Sequence, residues 1–398
     1  KNPQFKNLYM KSTDSNSNVL ITSRNLYPPR VEDLDSTINL LHAYGWEETS
    51  FPKEWVRKFN SFLSGLTVMS KLVKKILIDN GVYVPIQVCG LGVDHIDNIN
   101  IKDNYSFSKK SFSFLHISSC FPRKGIDCLL KAYGEAFTIN DDVTLVIKTF
   151  KNVHNNVYEI LGKYQSIASD FPDVNILDGD FNDEEIKSLY QQCDVLVAPS
   201  YGEGFNLTVA EAMKIGLPVI TTAWGGHMDF CNANTAWLIN YEFEYALTHL
   251  SSSGSVWARP SFLHLKQLML DMRTLPSDLI LSKINAAKES IAQYEWRNVA
   301  QNNCDFVKNL AKRNLSHKTK IGLISTWNTR CGIATYSQHL FSQIEDEYVI
   351  FAPKINSVFE DNSNRCWNLG NDNLKELYTQ IIDNNISTIL IQFNYGFF

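Results

Sequence analysis

Asp194-Val195-Leu196-Val197-Ala198-Pro199-Ser200-Tyr201-Gly202-Glu203-Gly204-Phe205-Asn206-Leu207-Thr208-Val209-Ala210-Glu211-Ala212-Met213 reads as a buried strand, a glycine-bearing loop and an apolar helix in direct succession. The apolar run through Ala198 stops at Pro199, which cannot continue a sheet ladder. Gly202 and Gly204 let the chain turn tightly and let its backbone approach a ligand. The N–H groups from Phe205 to Thr208 then open a helix, and a helix N-terminus favours anions. In open α/β sheets ligands bind beyond the carboxyl ends of the strands, which is where this loop falls. Glu203 lies in the loop and Glu211 more than one turn inside the helix. Two acids at that spacing are by themselves an ordinary solvated face. Their position around a strand–loop–helix junction gives them a role: Glu203 can reach a sugar, and Glu211 can accept hydrogen bonds from two ribose hydroxyls.

Outward from this stretch, strand and helix patterns alternate, which predicts a parallel α/β sheet. Strands are expected at Phe112–Ile117, Val143–Ile147, Val174–Leu177, Asp194–Ala198, Pro218–Thr221 and Thr235–Ile239. Between them run helices at Ile126–Phe137, after a capping Asp183, and through Met213. Six strands with helical crossovers make one doubly wound domain from about residue 109 to about 250, closed by a helical tail from Ser282 through Trp296 to Leu310. Phe121-Pro122-Arg123-Lys124-Gly125-Ile126-Asp127 follows the first strand of that domain. Cations in a loop usually serve solubility. At a second strand end of the same sheet, Arg123 and Lys124 are placed to meet a diphosphate leaving group, which needs positive charge as its bond breaks.

Before residue 100, strands near Val19–Thr22, Ile38–Leu41 and Leu66–Val68, with helices at Trp55–Leu63 and Lys71–Asn80, read as half of a second α/β domain. Ala311–Lys320 reads as a polar linker. After it come a strand at Ile321–Ser325, a loop at Trp327–Gly332 and a helix at Ala334–Ile344. Strands at Tyr348–Phe351 and Thr388–Gln392 follow, with a helix at Asn373–Asn384 between them. The expected organisation is therefore 1–108, the second half of an acceptor-side domain; 109–315, a donor domain with its closing helix; and 316–398, the first half of a further domain of the acceptor-side type. Residue 1 is not Met and the chain stops on the apolar Phe393–Phe398, so the sequence reads as a piece clipped at both ends.

The 398 residues are 44% hydrophobic and 20% charged, ordinary for a globular chain with sizeable cores. A net charge of −5 gives no reason to expect nucleic acid, and no apolar run approaches a membrane helix, so membrane association is peripheral at most. Eight cysteines are scattered without a C-x-x-C pair, which reads as reduced thiols and a cytoplasmic protein. No G-x-G-x-x-G, P-loop or H-E-x-x-H motif occurs, so nicotinamide, ATPase and zinc chemistry lack support and no cofactor or metal is expected.

Lys124-Gly125, Glu203-x7-Glu211, Gly225-Gly226-His227-Met228-Asp229 and Leu91-Gly92-Val93-Asp94 together resemble glycosyltransferase family 4, over essentially residues 20–310. The resemblance implies a GT-B fold of two Rossmann-like, doubly wound parallel sheets, with the nucleotide-sugar donor in the C-terminal domain and the acceptor mostly in the N-terminal one. It implies transfer with retention of anomeric configuration and without an essential metal. By the same resemblance Lys124 contacts the diphosphate, Glu203 the transferred sugar and Glu211 the ribose, while Phe205, Asn206 and Leu207 with Gly204 line the donor through backbone amides. Ser119 stands where the family usually has an Arg, and Arg123 is placed to supply that charge. The loop reads Gly204-Phe205-Asn206-Leu207-Thr208 where the family commonly has Gly-Phe-Gly-Leu-Pro. His42, at a strand end where members often place a sugar-contacting residue, and Glu47 or Glu48 are acceptor-side candidates.

Asn328–Tyr336 resembles the glycine-containing first loop of another such N-terminal domain, which suggests a tandem glycosyltransferase. If 316–398 packed on 1–100 as in a circular permutant, Gly332 would face the donor cleft. The expected function is transfer of a sugar from a nucleotide diphosphate sugar to a glycan, lipid-linked or protein acceptor. The alternative is a degenerate module that binds nucleotide sugar or scaffolds a neighbour.

Overall fold

A computed structural model describes residues 21–100, 106–248, 254–316, 320–329, 332–344, 347–355, 363–370 and 373–392. The chain divides into two compact units, 1–308 and 309–398.

The first unit opens with a parallel sheet ordered β1-β2-β3-β4: β1 Ile21–Arg24, β2 Ile38–Tyr44, β3 Gly65–Val68 and β4 Ile86–Val88. Val19 and Leu20, expected in the first strand, lie outside the described residues. Helices α1 (Lys53–Phe62) and α2 (Lys71–Asp79) pack on this sheet around Leu41, Phe59, Leu66, Val73 and Leu77. Ser70 starts α2, its Oγ accepting from Val73 N at 3.3 Å. β4 went unpredicted because its three residues are too short a run to carry a period.

Next comes a six-stranded parallel sheet. Its strands are β5 Phe112–Ile117, β6 Val143–Thr149, β7 Asp173–Asp178, β8 Val195–Ala198, β9 Val219–Thr222 and β10 Trp237–Ile239, in the order β10-β9-β8-β5-β6-β7. The strands alternate faces with period two. Phe114, Leu145, Ile147, Val195, Val197 and Ile220 join one core, and Leu115, Val146, Leu196, Ala198 and Val219 join the other. Helices cover both faces, so the strands read as continuous apolar runs. Helices α3 (Ile126–Ala136), α4 (Val157–Ile167), α5 (Asp183–Gln192) and α6 (Leu207–Ile215) are the crossovers. β5 and β8 are neighbours (Phe114 opposite Val195) and lie where the strand order reverses, the position at which doubly wound sheets open a crevice.

Further features depart from the sequence expectation. Asn182 caps α5, in place of Asp183. Its Oδ1 accepts from Glu185 N (2.9 Å) while Glu185 Oε2 accepts from Asn182 N (2.8 Å), and this reciprocal pair outcompetes a carboxylate one residue later. After β10 an antiparallel hairpin appears, β11 Tyr241–Tyr245 paired with β12 Val256–Pro260, followed by α7 (Phe262–Met272). The polar stretch 311–316, expected as linker, continues the final helix: α8 (Ser277–Ile291) is followed by α9 (Trp296–Ser316). Helix-forming Ala, Lys and Arg at 311–313 carry that last stretch. Trp296 N donates to Asp94 Oδ1 (2.7 Å) and Val93 N to Tyr294 O (2.8 Å), which anchors the start of α9 on the junction between the two sheets. Farther along α9, Asn303 Oδ1 accepts from Thr67 Oγ1 of β3 (2.8 Å).

The second unit is a parallel sheet ordered β15-β14-β13-β16, from β13 Ile321–Ile324, β14 Tyr348–Pro353, β15 Asn364–Trp367 and β16 Thr388–Ile391, with helices α10 (Gly332–Phe341) and α11 (Lys375–Asp383). Phe351 and Trp367 anchor one of its cores, Phe341 and Ala352 the other. β15 was not foreseen. Of the expected loop after β13, Arg330 and Cys331 lie outside the described residues, as does the Phe393–Phe398 end. Among the described residues no helix is long and apolar enough to cross a membrane, and all seven described cysteines are free thiols.

Candidate functional site

The carboxyl ends of β5 and β8 put two loops side by side. The β5 loop carries Arg123 and Lys124, and Gly125 ends it at φ +72°, a left-handed turn that glycine adopts without strain. There is no room for a side chain there, since a Cβ would stand 2.0 Å from the Pro199 carbonyl oxygen. Tyr201 N donates to Arg123 O (2.8 Å), which staples the β8 loop to the β5 loop.

Glu203 is the centre of this meeting. It is 5% exposed. Lys124 Nζ lies 2.6 Å from its Oε1, Arg123 Nη1 3.3 Å from its Oε2, and Ser200 Oγ donates to Oε1 at 2.7 Å. Arg123 also donates to Gly202 O (3.1 Å) and reaches Glu47 Oε1 at 3.2 Å. Burial alone would raise the Glu203 carboxyl, but the Lys124 and Arg123 charges, with the Lys124 and Ser200 hydrogen bonds, hold it down at about 2. Two cations thus share one buried carboxylate at the sheet edge, next to the N-terminus of α6. The Gly202 backbone lies on the Glu47 carbonyl and the Gly204 backbone near Trp46, so the segment after β2 covers this loop.

Glu211, inside α6, sits apart from that cluster. The Tyr190 hydroxyl donates to its Oε2 (2.8 Å), and His95 Nε2 lies 3.3 Å from its Oε1. The indole N–H of Trp296 donates to His95 Nδ1 (3.3 Å), which leaves the His95 proton on Nε2, facing the carboxylate. Burial raises the Glu211 carboxyl, with the Tyr190 hydrogen bond and His95 opposing it. Gly225-Gly226-His227 closes the site from the β9 end: Gly226 N donates to Glu203 O (2.7 Å), and a Cβ on Gly226 would stand 2.0 Å from Gly204 O. His227 is buried; its Nε2 donates to Thr222 O (2.7 Å), so Nδ1 is an acceptor, and it has no partner.

The structure therefore brings Arg123, Lys124, Glu203, Gly204 and Glu47 together and sets Glu211 one helix turn away. Phe205 is buried against Phe230 and Tyr294 (ring centroids 5.2 and 5.8 Å). Leu207 is the first residue of α6 and half exposed. Ser119 lies just past β5, where its carbonyl accepts from Asn152 Nδ2 (2.9 Å). His42 is exposed on β2 and its Nδ1 pairs with Ser23 Oγ (2.8 Å). Glu48 is buried and accepts from Thr248 and Ser255 of the hairpin region. Gly332 belongs to the C-terminal unit, where it opens α10 with open space around its Cα.

Sequence reasoning missed Tyr190, His95 and Lys148. Lys148, buried at the end of β6, donates to Gly179 O (2.6 Å) and Thr149 O (3.0 Å), and its Nζ lies 4.4 Å from the centre of the Phe181 ring. A lysine directly after the apolar Val143–Ile147 run was the available signal. Among the described residues, no three His, Cys, Asp or Glu side chains converge as a metal-ligating group.

This geometry predicts two acid limbs in stability. His116, buried with Nδ1 at 2.8 Å from Val197 O and Nε2 at 2.7 Å from Ser118 Oγ, is pushed down to about 4 by burial. A histidine kept neutral stabilises above its unfolded value of 6.5, and that contribution is lost as pH falls from there toward 4. Glu203 stabilises above its unfolded value of 4.5, with the loss running from there toward 2. Each limb is worth about 3 kcal/mol. Urea midpoints from pH 7 to pH 3 check this: His116→Gln should flatten the upper limb and leave the lower. An unchanged upper limb in that variant refutes the assignment.

Residues 97–242 match the family model described as glycosyl transferases group 1. The lipopolysaccharide 1,2-N-acetylglucosaminetransferase of Salmonella typhimurium is 22% identical over 215 residues, 53% of this chain and 51% of that protein. Across eight curated relatives that the chain matches, the aligned stretch spans between 12% and 51% of their length. A glycosyltransferase from Rickettsia africae superposes with a TM-score of 0.60 at 18% identity, over 78% of this chain and 80% of that one. An Anabaena protein solved in complex with UDP and glucose superposes with a TM-score of 0.54 at 18% identity, over 69% and 72%. The α/β architecture is that of the GT-B fold, and the stretch similar to the group 1 glycosyltransferase model takes in the six-stranded sheet.

Proposed function

We propose that the protein is a retaining glycosyltransferase of family 4 that transfers a sugar from a nucleotide diphosphate sugar to a glycan, lipid-linked or protein acceptor. The observation that carries this reading is the convergence of Lys124 and Arg123 on buried Glu203 at the switch point of the six-stranded sheet, beside the N-terminus of α6. A diphosphate seated there meets two cations and the free N–H groups of the helix. The bond from the sugar's anomeric carbon to the diphosphate oxygen breaks as the acceptor oxygen bonds to that carbon from the face being vacated. The acceptor's hydroxyl proton passes to the departing phosphate oxygen. Lys124 and Arg123 stabilise the developing negative charge, so protein groups fill the place a metal holds in other transferases. Glu203, ionised across the whole physiological range, accepts from the hydroxyls of the transferred sugar, and Glu211 from the ribose. The free cysteines fit a cytoplasmic enzyme with at most peripheral membrane contact.

One observation favours the second reading, a module that does not transfer: both Glu211 oxygens are already engaged, by Tyr190 and by His95. Each carboxylate oxygen has a further lone pair, so the ribose can still be accommodated. Calorimetric titration of the protein with UDP, GDP and ADP and with UDP-glucose, GDP-mannose and ADP-glucose tests both. The expected result is micromolar binding within one base series, weakened at least tenfold by Glu211→Ala. Binding without hydrolysis or transfer in any acceptor mixture selects the second reading. No binding to any of the six rejects the transferase and leaves only the scaffold form of the second reading.

A further inference from the structure

Asn206 is the residue before α6, where the unpaired N–H groups of the helix's first turn converge. It holds φ +70°, a left-handed conformation that costs a non-glycine residue energy, and asparagine is one of the few that tolerates it. The residue is 5% exposed and its Nδ2 is buried. An asparagine at this place normally caps the helix by accepting from a backbone N–H, yet this one makes no such bond. Its Oδ1 accepts instead from the Thr208 hydroxyl at 3.0 Å, which fixes the amide plane. Nδ2 is then left without any partner, at the same end of the helix and three residues after Glu203.

A buried donor without an acceptor is rare in native proteins and destabilising. Asn206 combines that defect with a strained backbone at a position where glycine would remove both. An oxygen-bearing ligand at the N-terminus of α6 resolves the arrangement: it supplies the acceptor that Nδ2 lacks. The Gly204-Phe205-Asn206 loop also lies against Gly226, since Gly204 O is where a Cβ on Gly226 would fall. The donor is therefore enclosed between two loops that both face the Glu203 cluster.

We propose that the Asn206 side chain is a specificity-determining contact of the donor site, its Nδ2 donating to an oxygen of the bound nucleotide sugar. This is a side-chain contact in addition to the backbone amides of the helix. It rests on the donor-site reading above. The oxygen belongs either to the diphosphate or to a hydroxyl of the sugar, and both accept such a bond. A site built to hydrogen-bond a ligand oxygen discriminates strongly against ligands that lack it.

The test uses Asn206→Gly and Asn206→Asp in the full chain. Glycine keeps the left-handed turn and removes the donor. Aspartate keeps the shape and replaces the donor with a repelling carboxylate, at a helix end that otherwise favours acids. Affinities for UDP and UDP-glucose, or the GDP or ADP pair if the wild type selects it, are measured by calorimetry, with melting temperature read on the empty proteins. Asn206→Gly is expected to weaken binding about tenfold, Asn206→Asp more, while the empty Asn206→Gly protein melts at or above the wild type. Loss for both members of the pair assigns the contact to the diphosphate; loss for the nucleotide sugar alone assigns it to the sugar. Wild-type affinity in Asn206→Gly overturns the contact while leaving the donor site standing. An empty Asn206→Gly protein that melts below the wild type makes Asn206 a structural cap and overturns it too. Failure of the wild type to bind any of the six nucleotides overturns both this contact and the reading it rests on.

Discussion

Lys124→Met is expected to cost about 3 kcal/mol of stability and to abolish nucleotide-sugar binding. The stability effect comes from what the substitution leaves behind. Glu203 is 6% exposed at its side chain and remains in place, but it loses the 2.6 Å ion pair and keeps Arg123 at 3.3 Å and the Ser200 hydroxyl. A buried carboxylate stripped of its nearest counter-charge is far more costly than the intact pair is favourable. The effect of removing the pair as a unit should therefore be small. Lys124→Met/Glu203→Gln should recover most of the lost stability without recovering binding, so a double-mutant cycle in urea should show strong coupling between the two positions. Additive losses in that cycle refute the buried-pair account. Lys124→Met should also move the lower acid limb upward in pH, because the strongest of the attractions holding the Glu203 carboxyl down has gone.

Gly125→Ala should cost more than about 3 kcal/mol, among the largest effects of any single methyl group in the protein. Two independent causes add. At φ +72° an L side chain is strained by about 1–2 kcal/mol. The new Cβ would also lie 2.0 Å from the Pro199 carbonyl oxygen, and a backbone atom cannot rotate out of the way. The β5 loop and the β8 loop would have to separate, and with them Lys124 and Glu203. Gly162→Ala is the matched control. Gly162 lies inside α4 with nothing within 4 Å of where its methyl group would stand, so there the same substitution should stabilise by about 0.5–1 kcal/mol. Chemical denaturation of the two variants side by side checks both signs, and a Gly125→Ala protein within about 1 kcal/mol of wild type rules out the steric argument.

The six-stranded sheet was legible because its strands are buried on both faces and read as apolar runs between helices of ordinary length. Val195–Ala198, ended by Pro199, and the amphipathic turn of Ile186, Leu189 and Tyr190 left little choice of structure. The hairpin was missed although Tyr241-Glu242-Phe243-Glu244-Tyr245 alternates plainly. A solvated two-stranded hairpin after the last expected strand has no place in a doubly wound pattern, and its partner strand lies beyond the Ser251–Gly254 stretch. In the site, the meeting of Lys124 with Glu203 follows from strand ends, and strand ends follow from periodicity. Tyr190 and His95 do not follow. Their approach to Glu211 depends on how α5 and the 91–98 junction pack against α6, a tertiary outcome with no signature in spacing. For Lys148 the sequence offered only its place after an apolar run, since the Gly179 carbonyl that helps offset its burial arrives from 31 residues away.

The contact of Glu48 with the hairpin region has a consequence for how the chain is made. Its carboxylate accepts from Thr248 and Ser255, and Ser50 N donates to Ser255 Oγ at 3.2 Å across 205 residues of sequence. At ribosomal speeds of about 5–20 residues per second, the partners of Glu48 emerge about 10–40 seconds after it does. Closing so long a loop also carries a large entropic toll, so this junction forms late, after both sheets have their cores. A carboxylate is well suited to the wait: it stays hydrated and repels stray apolar chains until the two hydroxyls arrive.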